Sequence, residues 1–202
     1  MEAKDSPRKV AGVILAAGSS SRFGSPKQLA QIGQSNLIQH AQKVLADASV
    51  DELSVILGCN SQLIKQYIDR IFTLIDNINW EEGLASSIRL ATQFAREKKA
   101  THLMLMVCDQ PFVTVQLLHS LLALSAMNSN AIVACKYNNT AGIPAVFPAS
   151  YFSALLDLKG DRGAKVIINQ SKECLFYDFE NGEIDIDQPN DLKSLLAIKR
   201  FD

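Results

Sequence analysis

Two cations, Arg22 and Lys27, stand in a run of small residues directly behind an apolar stretch: Val13-Ile14-Leu15-Ala16-Ala17-Gly18-Ser19-Ser20-Ser21-Arg22-Phe23-Gly24-Ser25-Pro26-Lys27. A strand that runs into such a loop is suited to hold a polyphosphate. Gly18 and its small neighbours let backbone N–H groups turn towards phosphate oxygens, while Arg22 and Lys27 supply the neutralising charge. Leu15, Ala16, Ala17, Gly18, Ser19, Ser20, Arg22 and Lys27 are therefore candidate nucleotide-binding residues. Gly/Ser-rich turns after strands also serve as plain connections, so the cations carry the functional reading. Two stricter phosphate-binding templates fail. A P-loop needs Lys-Ser/Thr directly after its second Gly, but Ser25-Pro26 follow Gly24. A Rossmann fingerprint needs Gly two residues after the first, and position 20 is Ser.

Carboxylates supply the second kind of chemistry. Asp109 follows the apolar run Leu103–Val107, and Pro111 keeps Gln110 extended, which holds the carboxylate at the sheet edge. A hard Mg²⁺ ion takes one or two such carboxylates and keeps water and phosphate oxygens as its other ligands. The competing role for Asp109 is to open a turn or cap the helix expected near Thr114. In Glu183-Ile184-Asp185-Ile186-Asp187-Gln188-Pro189, strand alternation would put both aspartates on one face, and either could be a second metal ligand. A helix N-cap near Gln188–Asp191 competes for both. Gly83, Ser86 and Ser87 fall at the start of a helix, where free N–H groups and hydroxyls can meet a base or sugar, or simply cap. Arg89 reads as a surface or salt-bridged residue. His40, His102 and His119 share no ligand spacing and read as structural or surface residues.

The elements that must position these groups alternate along the chain. Lys9–Leu15, Leu53–Leu57, Phe72–Ile75, Leu103–Val107 and Ala131–Ala134 read as strands. Helices are expected near Ser61–Arg70, Leu84–Arg96 and Thr114–Met127. Another, capped by Ser35, buries Leu37, Ile38, Ala41, Val44, Leu45 and Ala48. Alternation of this kind implies a mostly parallel sheet covered on both faces. Ligands of such sheets bind beyond the carboxyl ends of the strands, which selects Ala16–Lys27, Gly58-Cys59-Asn60 and Cys108–Pro111 without further assumption. From Tyr137 onward Gly and Pro break the pattern into short pieces.

Composition narrows the function classes. With 202 residues, 48% of them hydrophobic, the chain can bury a substantial core and reads as one α/β domain. Twenty basic against 21 acidic residues give a net charge of −1, which offers no footprint for nucleic acid. Any pull on phosphate must then be local. Cys59, Cys108, Cys135 and Cys174 form no C-x-x-C pair, so free thiols in a reducing cytoplasm are expected. The charged start of the chain lacks a signal-peptide core, and no apolar run reaches the length of a membrane span.

The pattern L-A-A-G-x-S-x-R-F-G-x-x-K at Leu15–Lys27 resembles the signature loop of the nucleotidyltransferase superfamily that includes the molybdenum cofactor guanylyl- and cytidylyltransferases. The stretch Gly83–Ile88 is similar to the G-x-x-x-S-[IL] segment that these enzymes place beside the base. Asp185–Asp191 is similar to their closing D-x-D-x-P-x-D. Gly142–Pro148 and Gly160–Ala164 look like two further elements on the acceptor side. The resemblance implies an α/β three-layer sandwich with a mostly parallel, Rossmann-like central sheet of the nucleotide-diphospho-sugar transferase type. A single domain would span 1–202, with a nucleotide-binding part over about 9–127 and an acceptor side over about 130–202. It also implies catalytic roles for Lys27, Arg22 and Asp109, and Mg²⁺ on Asp109 and Asp187, the latter chosen over Asp185 on the family match. The implied reaction moves a nucleoside monophosphate to the phosphate of molybdopterin with release of pyrophosphate. CTP is favoured because guanylyltransferases usually carry Gly where Ala17 stands, and a molybdenum hydroxylase is the expected downstream partner. Cys108 departs from the Gly that the family commonly has there. Two alternatives stay open: a sugar or isoprenoid-precursor phosphate as acceptor, or a non-catalytic maturation factor that binds cofactor.

Overall fold

Every residue of the strand Val10–Ala16 is buried, so this strand must be covered on both faces. In the computed structural model, which describes residues 7–198, alternate side chains of that strand enter two different cores. Ala11, Val13 and Leu15 pack on one side, and Val10, Ile14 and Ala16 on the other. The charged start of the chain, Met1–Ser6, and the last residues, 199–202, lie outside the described residues.

In chain order the strands are β1 (Val10–Ala16), β2 (Gln31–Ile32), β3 (Ser35–Asn36), β4 (Glu52–Leu57), β5 (Thr73–Asp76), β6 (His102–Val107), β7 (Ile132–Tyr137), β8 (Thr140–Pro148) and β9 (Cys174–Asp178). The helices are α1 (Leu37–Asp47), α2 (Ser61–Ile64), α3 (Leu84–Glu97), α4 (Val115–Met127), α5 (Phe152–Leu156), α6 (Lys165–Gln170) and α7 (Pro189–Ile198). Seven strands form one sheet in the order β5-β4-β1-β6-β8-β7-β9. Only β8 runs against the rest, pairing antiparallel with β6 and β7. The α1 and α4 residues Ile38, Leu45, Leu118 and Leu121 cover one face, and the α3, α5 and α6 residues Ile88, Phe94, Leu155 and Ile168 cover the other. The result is a three-layer α/β sandwich with a mostly parallel sheet. No helix among the described residues is long and apolar enough to cross a membrane.

Local chemistry explains where the elements differ from the sequence reading. Helix α1 buries the expected stripe, Leu37, Ile38, Ala41, Val44, Leu45 and Ala48. Its cap is Asn36 rather than Ser35: both residues pair in the β2–β3 hairpin, and Asn36 is the one that stands directly before Leu37. Asn36 accepts the Gln39 amide at 3.0 Å, and Gln39 returns an acceptor to the Asn36 amide at 3.2 Å, a reciprocal capping box. The helix expected over Ser61–Arg70 is a single α turn followed by a 3-10 turn over Lys65–Tyr67. The largest departure is Gly142–Pro148, which belongs to the nine-residue strand β8 in the middle of the sheet. Its ladder with β7 passes from Ala134↔Ala145 to Cys135↔Gly142 across a bulge. Ile143 and Pro144 fall in that bulge, where a proline's missing N–H costs no ladder hydrogen bond. The stretch holding Asp185 and Asp187 is irregular rather than a strand.

Candidate active site

The loop after β1 is shaped by a residue that polarity alone does not single out. Gln28 is 1% exposed, and its Nε2 donates to the carbonyls of Ala16 at 3.0 Å and Gly18 at 3.1 Å. Its Oε1 accepts the Ser20 hydroxyl at 3.2 Å, while the Ser20 Oγ accepts the Lys27 amide at 3.1 Å. Ser20 and Gly24 sit at φ of +56° and +79°, which closes a turn with the Phe23 amide on the Ser20 carbonyl at 2.9 Å. Ser20 is thus spent on bracing the loop. Ala17 is pinned from outside by the Cys59 amide, which donates to its carbonyl at 3.2 Å.

That bracing carries Lys27 to the carboxylates. Its Nζ lies 2.6 Å from Asp109 Oδ2 and 2.7 Å from Asp187 Oδ1. Arg22 Nη1 approaches Asp187 Oδ2 at 3.4 Å. The Lys27 and Asp109 side chains are only 13% and 19% exposed, so their charges are shielded from water, whereas Asp187 is 46% exposed. Burial works against the Lys27 ammonium, but the charges and hydrogen bonds of Asp109 and Asp187 outweigh it and raise its pKa above the ordinary lysine value. The hydrogen bond from Lys27 in turn holds the Asp187 carboxyl below the usual carboxylate range. Asp185, at the exposed rim, has its carboxyl pushed up to about 6, first by desolvation and then by the Asp109 charge. The neighbouring Cys108 thiol is fully enclosed, and burial pushes its pKa up, so it stays an uncharged packing group.

The C-terminal loop reaches this point through its backbone. The Ile186 amide donates to the Asp109 carbonyl at 2.9 Å, and the Ile186 side chain is buried with Ile32, Leu37 and Leu195. Asp191 Oδ2 accepts the amides of Asp187 at 3.0 Å and Gln188 at 2.7 Å. Asp191, in the first turn of α7, thus reaches back to the two amides ahead of the helix, while the Asp187 carboxylate faces Lys27. Asp109 and Asp187 offer two hard oxygen donors converging on one point, a set that fits an ion taking one or two protein carboxylates.

Across the sheet, the start of α3 is fixed by a second buried amide. Asn77, 2% exposed, follows β5 and donates through Nδ2 to Ser86 Oγ at 2.7 Å and Ser87 Oγ at 2.9 Å. Ser86 passes its proton to the Gly83 carbonyl at 2.8 Å. The two serines therefore hold the helix to the sheet. Gly83 is required twice over: its φ is +113°, and a Cβ there would collide with the Asp161 carboxylate and the Gly160 backbone.

These parts enclose a cleft of about 450 Å³. Of the sequence candidates, Leu15, Ala16, Ala17, Gly18, Ser19, Lys27, Gly83, Ser87 and Asp109 line it. Ser20 and Ser86 act from behind the wall, and Arg22 and Asp187 stand at its Lys27 corner. Sequence reasoning missed Gln28, Asn77, Trp80 and Glu81, and it marked Asp161 only as part of the acceptor-side stretch Gly160–Ala164. Of these, Gln28 and Asn77 show a signal only in hindsight, as amides next to chemically marked segments.

Comparison with known proteins agrees with this arrangement. A model of the MobA-like NTP transferase domain matches residues 12–174. A probable molybdenum cofactor guanylyltransferase of Bacillus mycoides is 28% identical over 127 residues, and one from Bacillus cereus strain Q1 is 31% identical over 127 residues. Each alignment covers 62% of this chain and 61% of the relative, so the chain spans about three-fifths of the curated relatives it matches. Among solved structures, Rv0371c from Mycobacterium tuberculosis superposes with a TM-score of 0.79 at 26% identity, covering 95% of this chain and 99% of that one. A complex of Rv0371c with manganese gives a TM-score of 0.75 at 24% identity, covering 95% and 100%. With the family model spanning most of its length and the cleft built on the same segment, the chain belongs to the MobA-like NTP transferase domain family.

Proposed function

We propose that the protein transfers a nucleoside monophosphate from a nucleoside triphosphate to a phosphate oxygen of a molybdopterin-type acceptor. The acceptor oxygen forms a bond to the α-phosphorus, the bond from that phosphorus to the bridging oxygen breaks, and the electron pair leaves with pyrophosphate. The observation that carries this reading is the meeting of Lys27, Asp109 and Asp187 at the corner of a cleft floored by the loop after β1.

An anionic phosphate is already a nucleophile, so the site needs no strong general base and works by alignment and charge placement. Lys27, kept cationic by its two carboxylates, is the group to steady the α-phosphate as negative charge gathers on it. Arg22 and the backbone of Ala17–Ser21 hold the leaving pyrophosphate, with Arg able to grip it through two N–H groups. Asp109 and Asp187 are the residues to hold a divalent ion. Bound there, Mg²⁺ supplies the positive charge that lets two phosphates approach. Ala17 supports CTP as the triphosphate. The guanylyltransferase names of the Bacillus relatives make GTP the essential competitor. A molybdenum hydroxylase receiving the product, and a cytoplasmic location suited to four free thiols, complete the reading.

The test is pyrophosphate release from CTP, GTP, ATP and UTP, each with molybdopterin and with Mg²⁺ or Mn²⁺. Release that requires both triphosphate and acceptor, highest with CTP, is the expected result. No release from any triphosphate, or release independent of molybdopterin, overturns the proposal.

A further inference from the structure

Two carboxylates that line the cleft, Glu81 and Asp161, stand away from the Lys27 corner where the phosphate chemistry is placed. Asp161 lines the same cleft as Lys27 and Ser87; it is exposed there, and its carboxylate is not engaged by a hydrogen bond or ion pair with the described residues. Its Oδ1 rests against Gly83, at the place where any side chain would have to go. A carboxylate repels the phosphate end of a ligand in this cleft, so the part of the ligand it can accept hydrogen bonds from is another one.

The loop that carries it is held firmly. The Ala85 amide donates to the Gly160 carbonyl at 3.0 Å. Glu82 Oε1 accepts the Gly160 amide at 3.3 Å. Arg89 grips Glu82 with both terminal nitrogens, at 2.7 and 2.5 Å, and Nη1 also donates to the Leu158 carbonyl at 2.8 Å. The Arg89–Glu82 pair thus ties the acceptor-side loop to the first turn of α3. Asp161 is held beside Gly83 by the tethered backbone that precedes it, which is how a recognition group is placed while its own side chain stays free for a ligand.

We infer that Asp161 is a specificity-determining residue that accepts hydrogen bonds from the amine-bearing edge of a ligand heterocycle. A carboxylate only accepts, so it selects an N–H donor such as an exocyclic amine and rejects a carbonyl in the same place. Within the proposed reaction, on which this inference rests, two ligands carry such an edge: an amino-bearing base of the triphosphate, and the aminopyrimidine ring of the pterin acceptor. Uracil offers a carbonyl where cytosine offers an amine.

The experiment compares the wild-type protein with Asp161→Asn and Asp161→Ala, measuring KM and kcat for CTP, for UTP and for molybdopterin by pyrophosphate release. Asparagine keeps the shape against Gly83, removes the charge and replaces one of the two accepting oxygens with a donor. Thermal unfolding of each variant at the wild-type temperature shows that the loop is intact. Loss of a hydrogen bond to a charged group predicts a rise of about 10–100-fold in one KM, with kcat changed far less. If the triphosphate base is read, the KM for CTP rises, that for UTP does not, and the preference between them shrinks. If the pterin is read, only the KM for molybdopterin rises. Unchanged KM values for all three ligands, or a loss confined to kcat, overturn the inference. Wild-type protein that releases no pyrophosphate from any triphosphate refutes the underlying reaction instead, a separate outcome.

Discussion

The carbonyl of Asp109 accepts the backbone amide of Ile186 at 2.9 Å, joining the end of β6 to the C-terminal loop. This bond does not depend on any side chain. It sets the Asp187 carboxylate beside Lys27, while the buried Ile186 side chain anchors the loop from behind. The charged corner of the cleft is therefore a product of backbone register, and side-chain substitutions there should alter chemistry more than fold.

Lys27 and Asp109 provide the first check on that separation. Removing one preorganised charge that acts on a developing transition state lowers turnover by about 10²–10³. Lys27→Ala and Asp109→Ala are each expected to lose pyrophosphate release on this scale while keeping a wild-type far-UV spectrum. Near-normal turnover in either variant would sink the proposed roles.

Gln28 carries a different consequence. Its amide spans Ala16, Gly18 and Ser20, so Gln28→Ala leaves two carbonyls and a hydroxyl behind the loop without their partner. Buried groups that lose their partners cost about 1–3 kcal/mol. The expected result is a lower urea midpoint together with a raised KM for triphosphate, because the loop backbone is what faces the phosphates. A KM that stays put while stability falls would show that the loop holds its shape without Gln28.

How far the sequence shows these features depends on the range of the forces involved. Strands β1, β4 and β6 were legible because burial on both faces leaves apolar runs, and the cleft followed from the ends of those strands. Lys27, Asp109 and Gly83 were legible from residue type beside a strand or helix end. The capping of α1 was misread by one residue because the β2–β3 hairpin runs through Ser35 and Asn36, so the helix starts only at Leu37. Strand β8 was hidden by Gly142, Pro144 and Pro148, which signal turns locally; the bulge that tolerates Pro144 exists only when β6 and β7 flank it. Gln28 and Asn77 were invisible for a related reason. Each works by turning inward onto partners eight to twelve residues along the chain, and an amide carries no sequence mark of whether it will be buried.

Glycine at 58 makes a steric prediction at the loop's outer wall. A Cβ there would lie 2.7 Å from the Ala17 carbonyl oxygen, 2.8 Å from the Ala17 Cβ and 2.6 Å from the Trp80 Cβ. Backbone on one side leaves little to yield. Gly58→Ala is expected to cost about 1–3 kcal/mol, the range for overpacking a tight site, and to weaken triphosphate binding by pushing Ala17. Denaturant unfolding and nucleotide titration read the two effects separately; an Ala variant of wild-type stability would mean that Trp80 moves aside freely.

The Glu82–Arg89 pair gives a dependence on pH. Hydrogen bonds from Arg89, and then from the Gly160 amide, hold the Glu82 carboxyl down at about 2, against an ordinary value of 4.5. The folded protein therefore releases this proton more readily than the unfolded chain. Between these two values the unfolded state binds more protons, so stability rises with pH across that window. The contribution is fully present above about 4.5 and fades as the pH falls towards 2. Both residues are largely solvent-screened, so the effect is small and weakens with added salt. The wild-type protein should unfold at a higher temperature than Glu82→Gln at pH 7 and low ionic strength. That difference should narrow as the pH falls from 4.5 towards 3. Melting curves of the two proteins at matched salt make the comparison, and a gap that stays constant from pH 7 to 3 would show that the pair does not anchor the loop by charge.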